Sequence, residues 1–121
     1  MVNDEGLIEE VYNLTHRVYE MTATDFPGSE RPLLGVQLRD ASLGIASNTT
    51  NACSTDDPAE QQISLRDAAA LCIRFGILIR LANDLKHLTP SEHDDLTERI
   101  RAIDDRIAFH RRTQRPVRKK V

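Results

Sequence analysis

A repeating hydrophobic pattern constrains the fold of this chain more than any other feature of its sequence. Five apolar residues of the first segment follow one another at steps of four, three, four and three: Leu7, Val11, Leu14, Val18 and Met21. Such steps place side chains on one face of an α-helix, as in the seam of a helical bundle. We therefore predict a first helix from about Asp4 to Ala23.

The same periodicity returns after Pro27 and Gly28, which disfavour a continued helix. Ser29 offers an N-cap, so we predict a second helix from about Glu30 to Ala52. The small residues of this helix indicate close contact with a neighbour: Gly44, Ala46 and Ser47. Its apolar positions are Leu34, Leu38, Ala41, Ile45 and Ala52.

A third helix has a clear start signal. Asp57 is placed as the N-cap, Pro58 as the first helical residue and Glu60 as the residue that completes a capping box. We expect this helix to reach about Lys86. Its apolar residues form more than one stripe, which is typical of a helix that packs on two sides: Leu65, Ala68, Ala69, Leu71, Cys72, Phe75, Ile77, Leu78, Ile79, Ala82 and Leu85.

The fourth helix repeats this start signal at Thr89-Pro90-Ser91-Glu92 and ends near Arg112, because Pro116 disfavours continuation. Its apolar residues are Leu96, Ile100, Ile103 and Ile107. Short connections make neighbouring helices antiparallel, so the sequence predicts an all-α, up-down-up-down four-helix bundle over residues 1–112. The residues expected in the core include Ile45, Phe75, Leu78 and Ile103.

The excess apolar surface of the third helix predicts a cyclic homo-oligomer in which some of its side chains face a partner subunit. The acidic start of the chain shows no basic and apolar leader pattern, and no apolar run is long enough for a membrane span. We therefore expect a soluble, cytoplasmic protein. Cys53 and Cys72 have no metal-ligand spacing, and we interpret both as free thiols.

Charge is distributed unevenly along the chain. All 19 acidic residues and ten of the 16 basic ones precede residue 111, which leaves a net charge of −9 in that part. Six basic residues and no acidic one follow, and we expect residues 113–121 to be a mobile tail. The predicted nucleic-acid contacts of this region are Arg111, Arg112, Arg115, Arg118, Lys119 and Lys120. The alternative is a tail that only promotes solubility.

Three arginines of the third helix, Arg66, Arg74 and Arg80, are candidates for a second binding surface. Helical geometry places them on a loose basic flank that could dock a polymerase or RNA phosphates. The alternative is solvated charge paired with Asp67, Asp84 or a neighbouring helix.

The order of the helices and several of their residues resemble two related families. Phe26-Pro27, Gln37-Leu38-Arg39 and Asn48 resemble the four-helix proteins encoded in intervening sequences of bacterial 23S ribosomal RNA genes. The segment from Leu78 to Leu85 and the one from Leu96 to Ile107 are similar to the accessory variability determinant proteins of diversity-generating retroelements. This resemblance implies a homopentamer that binds a reverse transcriptase and nucleic acid. The expected function is thus that of a non-enzymatic accessory protein without cofactor or metal.

Two spacings suggest other chemistry. Asp84 and His87 have the spacing of ligands on one helix face, but a di-metal bundle needs two such pairs, and a role for His87 at the helix end is the simpler interpretation. Arg80 and His87 also have a spacing that resembles that of the helical HEPN ribonucleases, in which Arg80 would hold phosphate and His87 would transfer protons. This ribonuclease and a purely structural bundle are the alternative functions.

Overall fold

The computed structural model describes residues 2–24 and 31–113, and all regular secondary structure in them is helical. A π-helical turn, Arg31–Gly35, precedes the second α-helix. The four α-helices are α1 (Glu5–Thr24), α2 (Val36–Ser54), α3 (Pro58–Asp84) and α4 (Pro90–Thr113). The predicted all-α fold with four helices is confirmed.

Contacts between early and late positions show that consecutive helices are antiparallel. Asn51, near the end of α2, donates to the Ser64 hydroxyl near the start of α3 at 2.6 Å, while Arg74 donates to Gln37 at 3.1 Å. Arg17 of α1 lies 3.7 Å from Asp95 of α4. Each helix packs on its neighbour in sequence, and α1 also contacts α4, which closes the bundle. The start of α1, the end of α2, the start of α3 and the end of α4 thus share one end of the bundle, here called the terminal end.

The core contains the residues that the periodicity predicts. Ile45, Phe75 and Ile103 are at most 1% exposed, and Leu78 is 6% exposed. All the apolar seam positions predicted in α1, α2 and α4 are buried as well. Not every apolar residue assigned to the third helix is buried, since Ile77 is 64% exposed.

The start of α3 agrees with the prediction except at Glu60. The Asp57 side chain accepts a hydrogen bond from the Ala59 amide, and Pro58 occupies the first turn. The capping box is not formed, because the Asp57 amide donates to the Thr55 hydroxyl at 3.2 Å. The Glu60 carboxylate instead accepts from the Thr55 hydroxyl at 3.0 Å. Glu60 therefore ties the helix to the preceding loop.

The start of α4 has the full reciprocal box. The Thr89 amide donates to Glu92 at 2.8 Å, and the Glu92 amide donates to the Thr89 hydroxyl at 3.1 Å. These two bonds satisfy backbone donors that no helical carbonyl can reach.

Helix α2 differs from its predicted range at the start. Regular α-helical structure begins at Val36 rather than at Glu30, after the π-helical turn. Pro27, Gly28, Ser29 and Glu30 lie outside the described residues. The expectation of a close helix contact is confirmed at Gly44, where an added Cβ would stand 2.7 Å from a methyl carbon of Leu71.

None of the helices within residues 2–24 and 31–113 is both long enough and apolar enough to cross a membrane.

Candidate functional site

The three candidate arginines of α3 are all exposed, but they differ in their partners. Arg66 lies 3.3 Å from Asp67, its neighbour in sequence, and Arg74 donates to the neutral side chain of Gln37. Arg80 makes no ion pair with the part of the chain that the structure describes. The predicted pairing with acidic residues thus occurs only at Arg66, and at an exposed pair of this kind the charges remain accessible.

An apolar surface lies between these arginines. At about 100° per residue, five exposed apolar residues of α3 fall within about 80° of the circumference of the helix. Ile73 and Ile77 are 67% and 64% exposed, respectively. Arg66 falls inside this sector, while Arg74 and Arg80 border its two sides. We call this surface the α3 stripe, formed by Ile63, Ala70, Ile73, Ile77 and Leu81.

A groove at the terminal end of the bundle contains two of the predicted tail contacts. Arg111 and Arg112 are exposed residues of the last turn of α4, and they line a groove of about 330 Å³ together with Gln62 of α3 and Ala108. The Gln62 amide nitrogen is shielded from solvent and has no hydrogen-bond partner within residues 2–24 and 31–113. We call this site the terminal groove. Sequence reasoning missed Gln62, because a glutamine on a helix has no distinguishing pattern.

The remaining predicted contacts of the basic segment cannot be placed in this geometry. Arg115, Arg118, Lys119 and Lys120 lie outside the described residues. Helix α4 includes Thr113, one residue beyond the predicted helix end near Arg112.

A charged cluster that the sequence did not reveal joins the first and last helices at the terminal end. Asp4 caps α1 by accepting from the Leu7 amide at 3.0 Å, and it also accepts from two groups of Arg106. His110 Nε2 lies 2.8 Å from the Asp4 carboxylate, and Arg106 donates to Glu10 at 2.7 Å. The side chains of Asp4 and His110 are only 13% and 10% exposed.

The environment of Asp4 favours its charged form. Burial alone would raise the pKa of this carboxyl, but hydrogen bonds from His110 and from the Leu7 amide, with the charge of Arg106, hold the pKa below its ordinary value. Burial opposes the charge of Arg106 too, but hydrogen bonding to Glu10 and the charge of Asp4 raise the pKa of Arg106. Asp4 and Arg106 are therefore charged at neutral pH, and their contact holds α1 to α4.

Arg80 and His87 have different structural settings. Arg80 lies on the exposed face of α3, which ends at Asp84. Lys86 then has a positive φ of 62°, and the amide of His87 donates to the Ala82 carbonyl at 2.8 Å. This pattern is a Schellman motif, in which His87 closes the end of the helix through its backbone. The predicted helix end at Lys86 is thus two residues late.

Two further grooves lie along α4. One, of about 240 Å³ against α1, is lined by the carboxylates of Glu10, Asp95 and Glu98. The other, of about 250 Å³ against α3, includes Cys72 and Asp104. Burial, with a smaller contribution from Asp104, raises the pKa of the Cys72 thiol to about 12, so this thiol is protonated and a poor nucleophile.

The remaining groups of chemical interest are the two cysteines and the side chains that could bind a metal ion. Cys53 and Cys72 are both free thiols, as expected. Within the two described ranges, no three His, Cys, Asp or Glu side chains come together as a metal-binding group.

A scan against protein-family models gives no match to this chain, and a search of curated proteins gives none either.

Proposed function

We propose that this chain is a non-enzymatic accessory protein that assembles into a cyclic homo-oligomer and binds RNA and a reverse transcriptase. The observation that carries the proposal is the α3 stripe with its bordering arginines. The sequence resemblance to retroelement accessory proteins supplies the pentameric state and the polymerase partner. The basic segment after residue 110 supplies the second contact with RNA.

The α3 stripe supports the self-association part of the proposal. Contiguous apolar surface is unfavourable in water and marks interaction sites when it occurs on a folded domain. The exposed isoleucines Ile73 and Ile77 are four residues apart, so they present one continuous surface to a partner helix. Because the core is complete without them, their burial would contribute free energy to assembly.

Light scattering on the purified chain tests this part. We expect a mass several times the 13.7 kDa of one chain and a shift toward the monomer in Ile77→Asp. Tyr12→Asp is the matched control, because it places the same charge at a 62% exposed position of α1. A monomer at all concentrations in the wild type would refute the assembly.

RNA binding is tested with the full chain and with a variant that ends at Thr113. Binding of single-stranded RNA should weaken steeply with salt, and the truncation should reduce the slope of log Kd against log salt. The melting temperature should change little, because the variant keeps every described residue of α4. An unchanged affinity and slope would move the RNA contact to the arginines that the variant keeps: Arg66, Arg74, Arg80, Arg111 and Arg112.

Two further measurements separate this function from its alternatives. His87→Ala should leave RNA intact in both proteins, whereas the HEPN ribonuclease alternative requires cleavage by the wild type and its loss in the variant. Co-expression with a reverse transcriptase encoded beside this chain should give a complex that purifies as one species. A bundle that assembles but binds neither partner would be purely structural.

A further inference from the structure

We propose that the terminal groove is a binding site for one phosphate group of an RNA backbone, held by Arg111, Arg112 and the side-chain amide of Gln62. This inference deepens the proposed function and rests on it. It assigns the RNA contact to a defined site on the folded bundle rather than only to the basic segment beyond it.

The charge of the groove selects for an anion. Among the described residues, its lining consists of two arginines, one neutral amide and Ala108, without a carboxylate. The groove between α1 and α4 has three carboxylates and one arginine, Arg99, while the one beside Cys72 has one carboxylate, Asp104, and one arginine, Arg101. Among these three described grooves, the terminal groove is thus the one whose lining charges favour an anion.

Gln62 supplies a neutral donor at the base of this site. The side-chain nitrogen has no acceptor in the described protein, although it is closed off from solvent. Rotation about the terminal torsion of a glutamine is soft, so a small movement can turn the amide toward the groove. A phosphate oxygen would then accept from it, and an unpaired buried donor would gain a partner.

The two arginines provide the charged part of the site. Both line the same groove and their Cα atoms lie about 3.8 Å apart, so the two long side chains can reach one phosphate. The planar guanidinium group matches phosphate oxygens with two parallel hydrogen bonds. Burial and the charge of Asp105 raise the pKa of the Asp104 carboxyl, and the charge of Arg111 partly opposes this rise. Arg111 is therefore close to one acidic group outside the groove.

The position of the groove favours an RNA backbone over a free anion. The groove lies at the C-terminal end of α4, directly before the segment that contains Arg115, Arg118, Lys119 and Lys120. An RNA strand with one phosphate in the groove has further phosphates on either side of it, and the sequence supplies these four further cations within eight residues of Arg112. A free phosphate ion would gain nothing from them.

The first experiment observes the site directly in the full chain, with inorganic phosphate as the probe. In ¹⁵N-resolved NMR spectra, phosphate should shift the side-chain amide signals of Gln62 and the Nε–H signals of Arg111 and Arg112 in a saturable manner. The Gln62→Leu variant identifies the amide signals. Equal shifts with chloride at the same ionic strength would mean charge screening and would overturn the proposal.

The second experiment measures RNA binding against salt. If the groove holds one phosphate, Arg111→Gln with Arg112→Gln should reduce the slope of log Kd against log salt by about 0.7. This is the value for one single-strand phosphate contact. Gln62→Leu should weaken binding about threefold to tenfold with an unchanged slope, since it removes a neutral donor. Asn13→Leu also replaces a side-chain amide by leucine, at an exposed position of α1, and should have no such effect.

The outcomes distinguish the groove from the proposed function. Arg118→Gln with Lys119→Gln should reduce the RNA slope but leave the phosphate-induced shift of Gln62 unchanged. If neither Arg111→Gln with Arg112→Gln nor Gln62→Leu changes RNA binding, the groove is not a phosphate site for RNA. The proposed RNA function would still stand. Saturable phosphate shifts without any RNA binding would refute the RNA function and the RNA assignment of the groove together, and would leave a site for free phosphate.

Discussion

Replacing Asp4 by Asn tests whether the charged cluster at the terminal end stabilises the fold. Asparagine has the same shape and caps helices as well as aspartate does, so the hydrogen bond from the Leu7 amide is retained. The substitution removes the negative charge that faces Arg106 and His110. Its effect on the free energy of unfolding therefore reports the ionic part of the cluster.

The structure sets the magnitude of this effect. Hydrogen bonds to charged groups contribute about 1.5–3 kcal/mol each, and breaking a buried pair costs about 3–5 kcal/mol. The Asp4 side chain is 13% exposed, but that of Arg106 is 36% exposed and keeps Glu10 as a partner. We therefore expect Asp4→Asn to destabilise by about 2–3 kcal/mol at neutral pH. Asp4→Ala should cost about 1 kcal/mol more, because it also removes the cap.

Urea unfolding followed by circular dichroism measures these differences, with the exposed Asp56→Asn as the control, expected to change stability by less than about 0.5 kcal/mol. The pKa of Asp4 is lowered in the folded state, so its stabilisation is present above the ordinary value of about 3.9. It is lost as the pH falls through the folded value. The difference in the free energy of unfolding between wild type and Asp4→Asn should therefore shrink as the pH falls below that value. A difference below about 0.5 kcal/mol at pH 7, or one that does not shrink between pH 7 and pH 2, would refute the reasoning.

Three further predictions follow from single sites. Leu78→Ala should destabilise by about 2–5 kcal/mol in the same assay, and a loss below about 1 kcal/mol would contradict its burial. Lys86→Gly should be about 1 kcal/mol more stable than Lys86→Ala, because only glycine adopts the positive φ without strain, and equal stabilities would contradict the left-handed conformation. A thiol reagent at pH 8 should modify partly buried Cys53 well before buried Cys72, as mass spectrometry of Cys72→Ser and Cys53→Ser would show; equal rates would contradict the burial difference.

Local patterns predicted most of the fold because the forces behind them act over a few residues. Seam positions such as Leu14 and Ile103 repeat with the helical period, and the Thr89 box needs only Glu92 three residues later. The same rule failed at Glu60, because it does not include competition from the Thr55 hydroxyl for the Asp57 amide.

The candidate sites were less predictable, since they depend on contacts between distant parts of the chain. Asp4 and His110 are 106 residues apart, and no local pattern indicates that they meet. Likewise, the sequence identified Arg111 and Arg112 by charge but could not place Gln62 beside them. The α3 stripe was partly predictable. The excess of apolar residues in α3 is evident in the sequence, but only the fold shows that Ile77 is exposed while Leu78 is buried.

The contact between Asp4 and His110 also shows that the start of α1 and the end of α4 lie close enough to be joined. An even number of antiparallel helices brings the start of α1 and the end of α4 side by side, where these two side chains are 2.8 Å apart. A short glycine linker could therefore join them, and the exposed Asp56 between α2 and α3 could become the site of new ends. Every helix of such a circular permutant would keep both of its neighbours. The bundle thus offers two places, on the same end, at which another domain could be fused or inserted without disturbing the α3 stripe.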